Sequence, residues 1–321
     1  MKKKFQVITL QPAGTSVLKA TAILAVLMIH VLSSIKPSPF INGSPFQIIA
    51  VSLDQLARIS VPLFVAVSGY GLALSYSVKK FKFAGFFTRR ILKILPLYLL
   101  WSCIYGLTFH FIFNWAPATD QPNFLWQLLL GRADYHLYFV PMIFQLYLFF
   151  PVILYFFKKW PFATLVVALL TQLIWWWFFS YQELTVTSWK YFAGDGEQYL
   201  WMTNWIAYFV LGMYLPKIWQ WFENYKLLFL VIFFLWLGSS VFTITAALHA
   251  INNGIDPLFA LKFTRYPLFA YSSLAIIVIS YLVSKTKNFN SAFIKLGEHS
   301  YQIYLSHTLF LRIISSLFLF L

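Results

Sequence analysis

Two ionisable side chains lie within the first long apolar stretch of the chain, where a membrane-spanning helix carries few charges. Lys19 and His30 are 11 residues apart, so in an α-helix they project from nearly the same face, about 16 Å apart along the axis. An ionisable group inside a span costs free energy and indicates function. The spacing therefore predicts that His30 is a general base for a hydroxyl group. The alternative is a structural histidine that bonds to a neighbouring helix.

A second apolar stretch, residues 60–76, places hydroxyl groups beside small residues in the middle of a span. Ser68 and Tyr70 flank a glycine there, and we expect their hydroxyls to line the wall of a substrate cavity. The alternative is that the glycine lets a neighbouring helix approach closely, which is a common packing role in membranes. Just before this stretch, Asp54 and Arg58 are one helical turn apart, a spacing that allows an ion pair.

A basic run leads into the third apolar stretch. Arg89 and Arg90 are adjacent, and Lys93 lies one helical turn beyond Arg90 on the same helix face. Clustered guanidinium and ammonium groups bind phosphate, so this run predicts a site for a phosphate-bearing ligand on the cytoplasmic side. The alternative is that these side chains are anchors whose charged ends reach the membrane surface.

Two further histidines lie at or within apolar stretches. His136 follows Asp134 by two residues at the start of the fourth stretch, where they form either a surface pair or part of an acceptor site. Near the end of the chain, Tyr301, Tyr304 and His307 recur every three residues along one side of a helix. His307 is therefore predicted to be a second histidine inside a span.

The composition predicts an all-α integral membrane protein. Of the 321 residues, 60% are hydrophobic and 10% are charged, whereas soluble domains have about 25% charged residues. We expect a polytopic bundle of about nine to ten transmembrane helices that forms a single domain, residues 1–321, with no soluble domain. Residues 46–57 are either an interfacial helix or part of a longer second span. The nine apolar runs lie at 17–35, 58–78, 91–113, 137–157, 162–180, 200–218, 226–249, 265–284 and 298–319.

Charged residues are distributed unevenly between the two predicted sides of the membrane. With the N-terminus in the cytoplasm, 17 of the 24 Lys and Arg residues and two of the nine acids fall on the inner side. The inner side then carries the whole net charge of +15, and the outer side carries none. An excess of basic residues in cytoplasmic loops is the usual mark of orientation. The charge therefore predicts contact with anionic membrane lipids and not with nucleic acid.

The sequence gives little sign of metal or disulfide chemistry. Its single cysteine, Cys103, excludes an internal disulfide, and no cluster of Cys and His residues has metal-ligand spacing. Residues 194–198, GDGEQ, are expected to form a solvated turn rather than a cation site. We therefore expect no resident metal.

These stretches, in this order, resemble the acyltransferase-3 family, whose multi-pass membrane members include bacterial O-acetyltransferases of surface polysaccharides and peptidoglycan. The family's first span has a basic residue, ten intervening residues and a histidine, as Lys19 and His30 do here. Lys19 stands where the family often has arginine. The other matching segments are Ser68-Gly69-Tyr70, Arg90-Ile91-Leu92-Lys93 before Pro96, His136 to Phe139, and Leu296-Gly297 with Ser300-Tyr301, Ile303-Tyr304-Leu305 and His307.

The resemblance implies a multi-pass enzyme of the cell membrane with a cytoplasmic N-terminus. It would move an acyl group, expected to be acetyl, from acyl-CoA to a hydroxyl of a cell-surface or lipid-linked polysaccharide, working beside glycan-synthesis machinery. His30 would be the catalytic base on the acceptor hydroxyl, or would help attack the thioester, and Lys19 would hold the donor at the inner face. The expected cofactor-binding residues are Arg89, Arg90 and Lys93, which would bind the CoA phosphates, and the expected substrate-binding residues are Ser68, Tyr70, His136, Tyr304 and His307.

Two other functions fit a polytopic protein with polar groups in its spans. An exporter or flippase of polysaccharide or lipid-linked sugar would show inverted repeats and broken helices, and neither is clear in the sequence. A non-catalytic partner of a glycan synthase would keep the fold of the family without transferring an acyl group. Label transfer from acyl-CoA separates the three.

Overall fold

The computed structural model describes residues 8–35, 37–77, 81–111, 124–178 and 197–318. All regular secondary structure in these ranges is helical, and they contain no strand, so the predicted all-α class is confirmed. The predicted solvated turn at residues 194–198 lies outside the described residues, except for its last two positions.

Thirteen α-helices are present in the described part of the chain. Each of the nine predicted apolar runs coincides with one of them, and α2, α5, α10 and α12 are additional short helices. Two short 3-10 turns, Glu197–Leu200 and Met202–Asn204, precede α8. The helices are α1 Pro12–Ser34, α2 Gln47–Ala57, α3 Ser60–Ser75, α4 Phe83–Phe111, α5 Phe124–Leu130, α6 Phe139–Lys159, α7 Pro161–Trp176, α8 Ile206–Asn224, α9 Lys226–Asn252, α10 Pro257–Ala260, α11 Tyr266–Lys285, α12 Ser291–Glu298 and α13 Ser300–Phe318.

Six helical segments in the described ranges are long and apolar enough to cross a membrane. They are α1, α2 together with α3, the first 26 residues of α4, α6, α9 and α11. Helix α7 is apolar but has only 16 residues, which is short for a bilayer core of about 30 Å. Helices α8 and α13 are not among the six, so the predicted count of nine to ten spans is not confirmed.

The second span is longer than the apolar run alone predicts. Only two residues separate α2 from α3, and residues 47–75 together form one candidate span of 29 residues. This favours the longer-span interpretation of residues 46–57 over the interfacial helix. The consequence for the site is that Asp54 and Arg58 lie within a span.

The described helices group into two compact units. Unit 1 contains the described residues up to Leu72 and those from Leu211 onwards, and unit 2 contains those from Ala73 to Val210. The unit boundaries therefore fall inside α3 and α8. The prediction of a single domain over residues 1–321 stays a prediction.

Unit 1 is held by close approaches between helix backbones. A Cβ atom added at Gly297 in α12 would lie 1.8 Å from the carbonyl oxygen of Ser16 in α1, and one added at Gly212 in α8 would lie 1.9 Å from that of Ala66 in α3. Only glycine permits such contacts, because any side chain would overlap the neighbouring backbone. The glycines thus fix α12 against α1 and α8 against α3.

Unit 2 is held largely by aromatic side chains. Phe150 of α6 is fully buried and lies within 6.1 Å, between ring centroids, of four other rings of the unit that include Tyr76 and Phe86. Tilted and edge-on ring pairs of this kind add stabilisation beyond the burial of their area. A Schellman turn at Gly131, which has φ of +67°, then leads from α5 into the segment before α6.

Candidate functional site

The first and the last of the long helices of unit 1 bring two histidines together. The rings of His30 in α1 and His307 in α13 have their centroids 4.9 Å apart and their planes tilted by 42°. His307 is buried, with 3% of its surface exposed, and His30 is half-buried. Two imidazoles at this separation are treated as one pair, because a positive charge on either ring is close enough to interact with the other ring.

The hydrogen bond of His307 fixes its ring orientation. Its Nδ1 lies 2.7 Å from the backbone oxygen of Tyr304, one turn earlier in α13. A carbonyl oxygen can only accept a hydrogen bond, so Nδ1 carries the proton and donates it. In the neutral ring the lone pair is therefore on Nε2. The ring of Tyr304 lies 6.1 Å from that of His307 and is also buried.

Lys19 lies in the same uninterrupted helix as His30, as the spacing predicts. Both side chains are half-buried, and three helical turns separate them, about 16 Å along the axis. Lys19 is one turn beyond Ser16, where the backbone of Gly297 touches α1. Lys19 therefore lies on the part of α1 next to the end of α12, about three helical turns from His30.

Two contacts show that α1 runs antiparallel to α2 and α3. Leu32, near the end of α1, shares a buried cluster with Val51 of α2, whereas the backbone N–H of Leu10, before α1, donates to the hydroxyl of Tyr70 in α3 at 2.6 Å. The rise from residue 12 to His30 is about 27 Å. The structure therefore does not bring Tyr70 together with the histidine pair.

Ser68 lies two residues before Tyr70 and shares its level near the start of α1. Its side chain is half-buried. The ring of Tyr70 packs against Trp219 of α8 at 5.6 Å between centroids, so Tyr70 is fixed at both its hydroxyl and its ring. Both residues thus lie away from His30, and the expectation that their hydroxyls line a substrate cavity stays a prediction.

The antiparallel arrangement instead puts Asp54 at about the level of His30. Asp54 is completely buried and accepts from Arg58 at 2.7 Å (Nε to Oδ2) and 3.1 Å (Nη2 to Oδ1). The predicted pairing of Asp54 with Arg58 is thereby confirmed as a two-point ion pair. A fork of this kind holds both side chains in one orientation.

The pair belongs to a larger buried network that the sequence does not reveal. Gln55, also completely buried, donates to Asp54 at 3.0 Å and accepts from Nη1 of Arg265 at 3.0 Å. Arg265 also donates to the backbone oxygen of Ala260 at 2.6 Å. Gln55 and Arg265 are 210 residues apart, and no local spacing connects them.

The predicted phosphate-binding residues all lie on α4 of unit 2. Arg89 and Lys93 are exposed, and Arg89 donates to the hydroxyl of Tyr76 at 3.1 Å. The guanidinium of Arg90 is half-buried and lies over the rings of Phe86 and Tyr147, 5.6 and 5.3 Å from their centroids. In this run, the cation of Arg90 lies over two aromatic rings, and the other two cations are exposed at the surface.

His136 of unit 2 lies in the segment between α5 and α6 and is buried beside Asp134. Its Nδ1 is 3.7 Å from Oδ1 of Asp134, an ion-pair distance that is too long for a hydrogen bond. The ring of Tyr105 meets His136 edge-on, with centroids 5.4 Å apart. The predicted association of His136 with Asp134 is therefore present, and it is a buried pair rather than a surface pair.

Within the described ranges, no group of three or more His, Cys, Asp or Glu side chains has the geometry to hold a metal ion. The donor sets that the site offers are imidazole pairs and single carboxylates bound to arginine. This arrangement can move protons and bind anions.

The comparisons with known proteins point to one family. The model of the acyltransferase-3 family, described as an acyltransferase domain, matches residues 14–321. No curated protein and no solved structure matches the chain. The match covers both units, includes every predicted site residue, and supports a membrane acyltransferase. The chain therefore belongs to the acyltransferase-3 family.

Proposed function

We propose that this protein is an O-acyltransferase of the cell membrane that moves an acyl group, in the first instance acetyl, from acyl-CoA to a hydroxyl of a cell-surface or lipid-linked polysaccharide. One observation carries the proposal. In a member of an acyltransferase family, the rings of His30 and His307 meet inside unit 1, 4.9 Å apart between centroids.

The histidine pair supplies the general base. A positioned imidazole removes the proton of the acceptor hydroxyl as the oxygen attacks the thioester carbonyl, which typically contributes 10²- to 10⁴-fold in rate, on the order of 3–5 kcal/mol. An apolar side chain would pack better at these positions than an imidazole, because a buried imidazole needs hydrogen-bond partners. Packing alone therefore does not explain the histidine pair.

Cations on α4 supply the donor site. Arg89 and Lys93 present their charges at the surface, and Arg90 is held over two aromatic rings, so we assign the three to the phosphates of CoA. Lys19 holds the donor near the junction of α12 and α13. The charge distribution of the loops supports a cytoplasmic N-terminus, which places these cations on the cytoplasmic side.

We assign Tyr304 of unit 1 and, separately, His136 of unit 2 to sugar hydroxyls of the acceptor. Tyr70 receives no acceptor role, because its hydroxyl bonds to the backbone of Leu10. The anionic lipids of the inner leaflet and the machinery that makes the glycan are the expected partners.

Transfer of label from acetyl-CoA tests this function. The purified protein in liposomes is given radiolabelled acetyl-CoA and a short polysaccharide acceptor, and ester-linked label on the glycan is measured. We expect transfer by the wild-type protein and a loss of about 100-fold or more in the His30→Ala variant at equal insertion.

Other outcomes decide against the proposal. Glycan that crosses the membrane without gaining label would indicate an exporter, and neither flux nor label would leave the non-catalytic partner. Transfer that is undiminished in the His30→Ala variant would remove the histidine pair from the mechanism.

A further inference from the structure

We infer that His307, through its Nε2 atom, is the base that takes the proton of the acceptor hydroxyl, with His30 as the facing member of the pair. The inference rests on the proposed function and assigns a role within the same site. It gives a catalytic role to a residue that the sequence places only along a cavity wall.

The hydrogen bond from His307 to Tyr304 carries the first step of the argument. Because Nδ1 donates to a main-chain carbonyl at 2.7 Å, the ring presents Nε2 as its proton-accepting atom. The acceptor of this bond is backbone of the same helix, so α13 itself holds the ring in this orientation. A base whose tautomer is fixed in this way is oriented before the substrate arrives.

The burial of the two rings carries the second step. His307 is 3% exposed, whereas His30 is half-buried. A proton taken by a buried ring is protected from exchange with bulk water, and charge interactions are stronger away from water. The half-buried His30, 4.9 Å away, forms the more open side of the pair, from which a substrate reaches His307.

The reaction balances with His307 as the group that takes and returns the proton. The proton of the acceptor hydroxyl moves to Nε2 of His307, the oxygen forms a bond to the thioester carbonyl carbon, and the carbon–sulfur bond breaks. The thiolate of CoA leaves and takes up the proton from His307, which returns to its neutral form. The products are the glycan ester and free CoA.

A substitution that keeps the orienting hydrogen bond tests the assignment. In His307→Asn, the side-chain amide can still donate to the carbonyl of Tyr304, but no nitrogen lone pair replaces Nε2. We expect kcat for label transfer to fall about 100-fold or more, with the KM for acetyl-CoA changed less than about threefold.

The control is His249→Asn. His249 is an exposed histidine of unit 1 near the end of α9, and its Nε2 lies 2.9 Å from the side-chain amide of Asn253. This variant should transfer label within about twofold of wild type. If His307→Asn retains more than a tenth of the wild-type kcat, the assignment of the base is wrong while the acyltransferase function stands. If the wild-type protein transfers no label, the function fails and the assignment fails with it.

A measurement on the wild-type protein covers the case in which His307→Asn does not fold. Nitrogen-15 spectra of histidine-labelled protein in lipid at pH 8 report which ring nitrogen of each histidine carries the proton. We expect His307 to be protonated on Nδ1, with Nε2 unprotonated. A signal showing the proton of His307 on Nε2 would overturn the inference.

Discussion

Arg58 in unit 1 and Lys93 in unit 2 both carry a positive charge within a long apolar segment, but their surroundings differ. Arg58 is bound at two points by Asp54, and 12% of its side chain is exposed. Lys93 is exposed on α4. A charge that is satisfied inside the protein contributes to the structure, whereas a charge at the surface remains able to bind a ligand.

Two buried histidines, one in each unit, also differ in how their side chains are held. His307 of unit 1 is bonded to a backbone carbonyl at 2.7 Å, which fixes its tautomer. His136 of unit 2 faces the carboxylate of Asp134 at 3.7 Å, a distance that is too long for a hydrogen bond. The histidine of unit 1 is thus held by a hydrogen bond to backbone, and the histidine of unit 2 faces its carboxylate across a longer, ion-pair distance. Four predictions test this contrast.

The largest expected effect is on the stability of unit 1. Arg58→Ala leaves the carboxylate of Asp54 buried without its two-point partner, which typically costs 3–5 kcal/mol. We expect a large fall in the unfolding temperature in detergent, measured by differential scanning fluorimetry. Arg90→Ala, which removes only a cation over aromatic rings in unit 2, should cost less, about 0.5–2 kcal/mol. Equal losses for the two variants would contradict the contrast between the units.

The next effect tests the close backbone contacts of unit 1. Gly297→Ala places a Cβ atom 1.8 Å from the carbonyl oxygen of Ser16, so α12 must move away from α1, at a cost of about 1–3 kcal/mol. Gly238 in α9 has no atom within 4 Å of such a Cβ, and Gly238→Ala should be neutral or stabilising because alanine favours helix. Unfolding temperatures of the two variants check this, and a stable Gly297→Ala protein would show that the contact is loose.

A smaller effect is expected for the surface charge of unit 2. Lys93→Ala should raise the KM for acetyl-CoA about twofold to fivefold, because exposed charge pairs contribute about 0.2–1 kcal/mol. The unfolding temperature should not change, since Lys93 is exposed. Lys158→Ala on α6 is a suitable control for loss of one basic residue. A fall in kcat with unchanged KM would place Lys93 outside the donor site.

The smallest effect concerns an exposed ion pair of unit 1. Hydrogen bonds from Lys285 and Tyr281 lower the pKa of Glu223 below its usual value. The stabilisation is therefore present at neutral pH and is lost as pH falls through the lowered pKa. It should lie at the low end of about 0–1 kcal/mol, because both partners are largely exposed. Unfolding temperatures of wild type and Glu223→Gln should converge with acidification below about pH 4, and a constant difference would contradict the assignment.

Local patterns predicted the elements and the local pairs. Apolar runs located each long helix, because hydropathy over about 20 residues decides whether a segment enters a membrane. The spacing of Asp54 and Arg58 predicted their ion pair, since residues four apart share a helix face. The number of spans was not confirmed, because apolar runs such as α7 are helical but too short to meet the same length requirement.

The contacts between distant segments were beyond such patterns. The sequence marked His30 and His307 as histidines inside spans, but only the packing of α12 and α13 on α1 brings their rings together. Tyr70 was expected to line a substrate cavity, and sequence alone did not show that the antiparallel course of α3 places it near the start of α1, away from His30. The partners Gln55 and Arg265 are joined by tertiary packing alone.

The pairing of His30 with His307 has a consequence for how the protein is made. The two residues are 277 positions apart in the chain, and at about 5–20 residues per second the ribosome needs roughly 15–55 s to pass from one to the other. During that interval α1 is in the membrane without α12 and α13, and no imidazole pair exists. A nascent or prematurely ended chain that has not yet gained α12 and α13 therefore inserts α1 without forming the contact between His30 and His307.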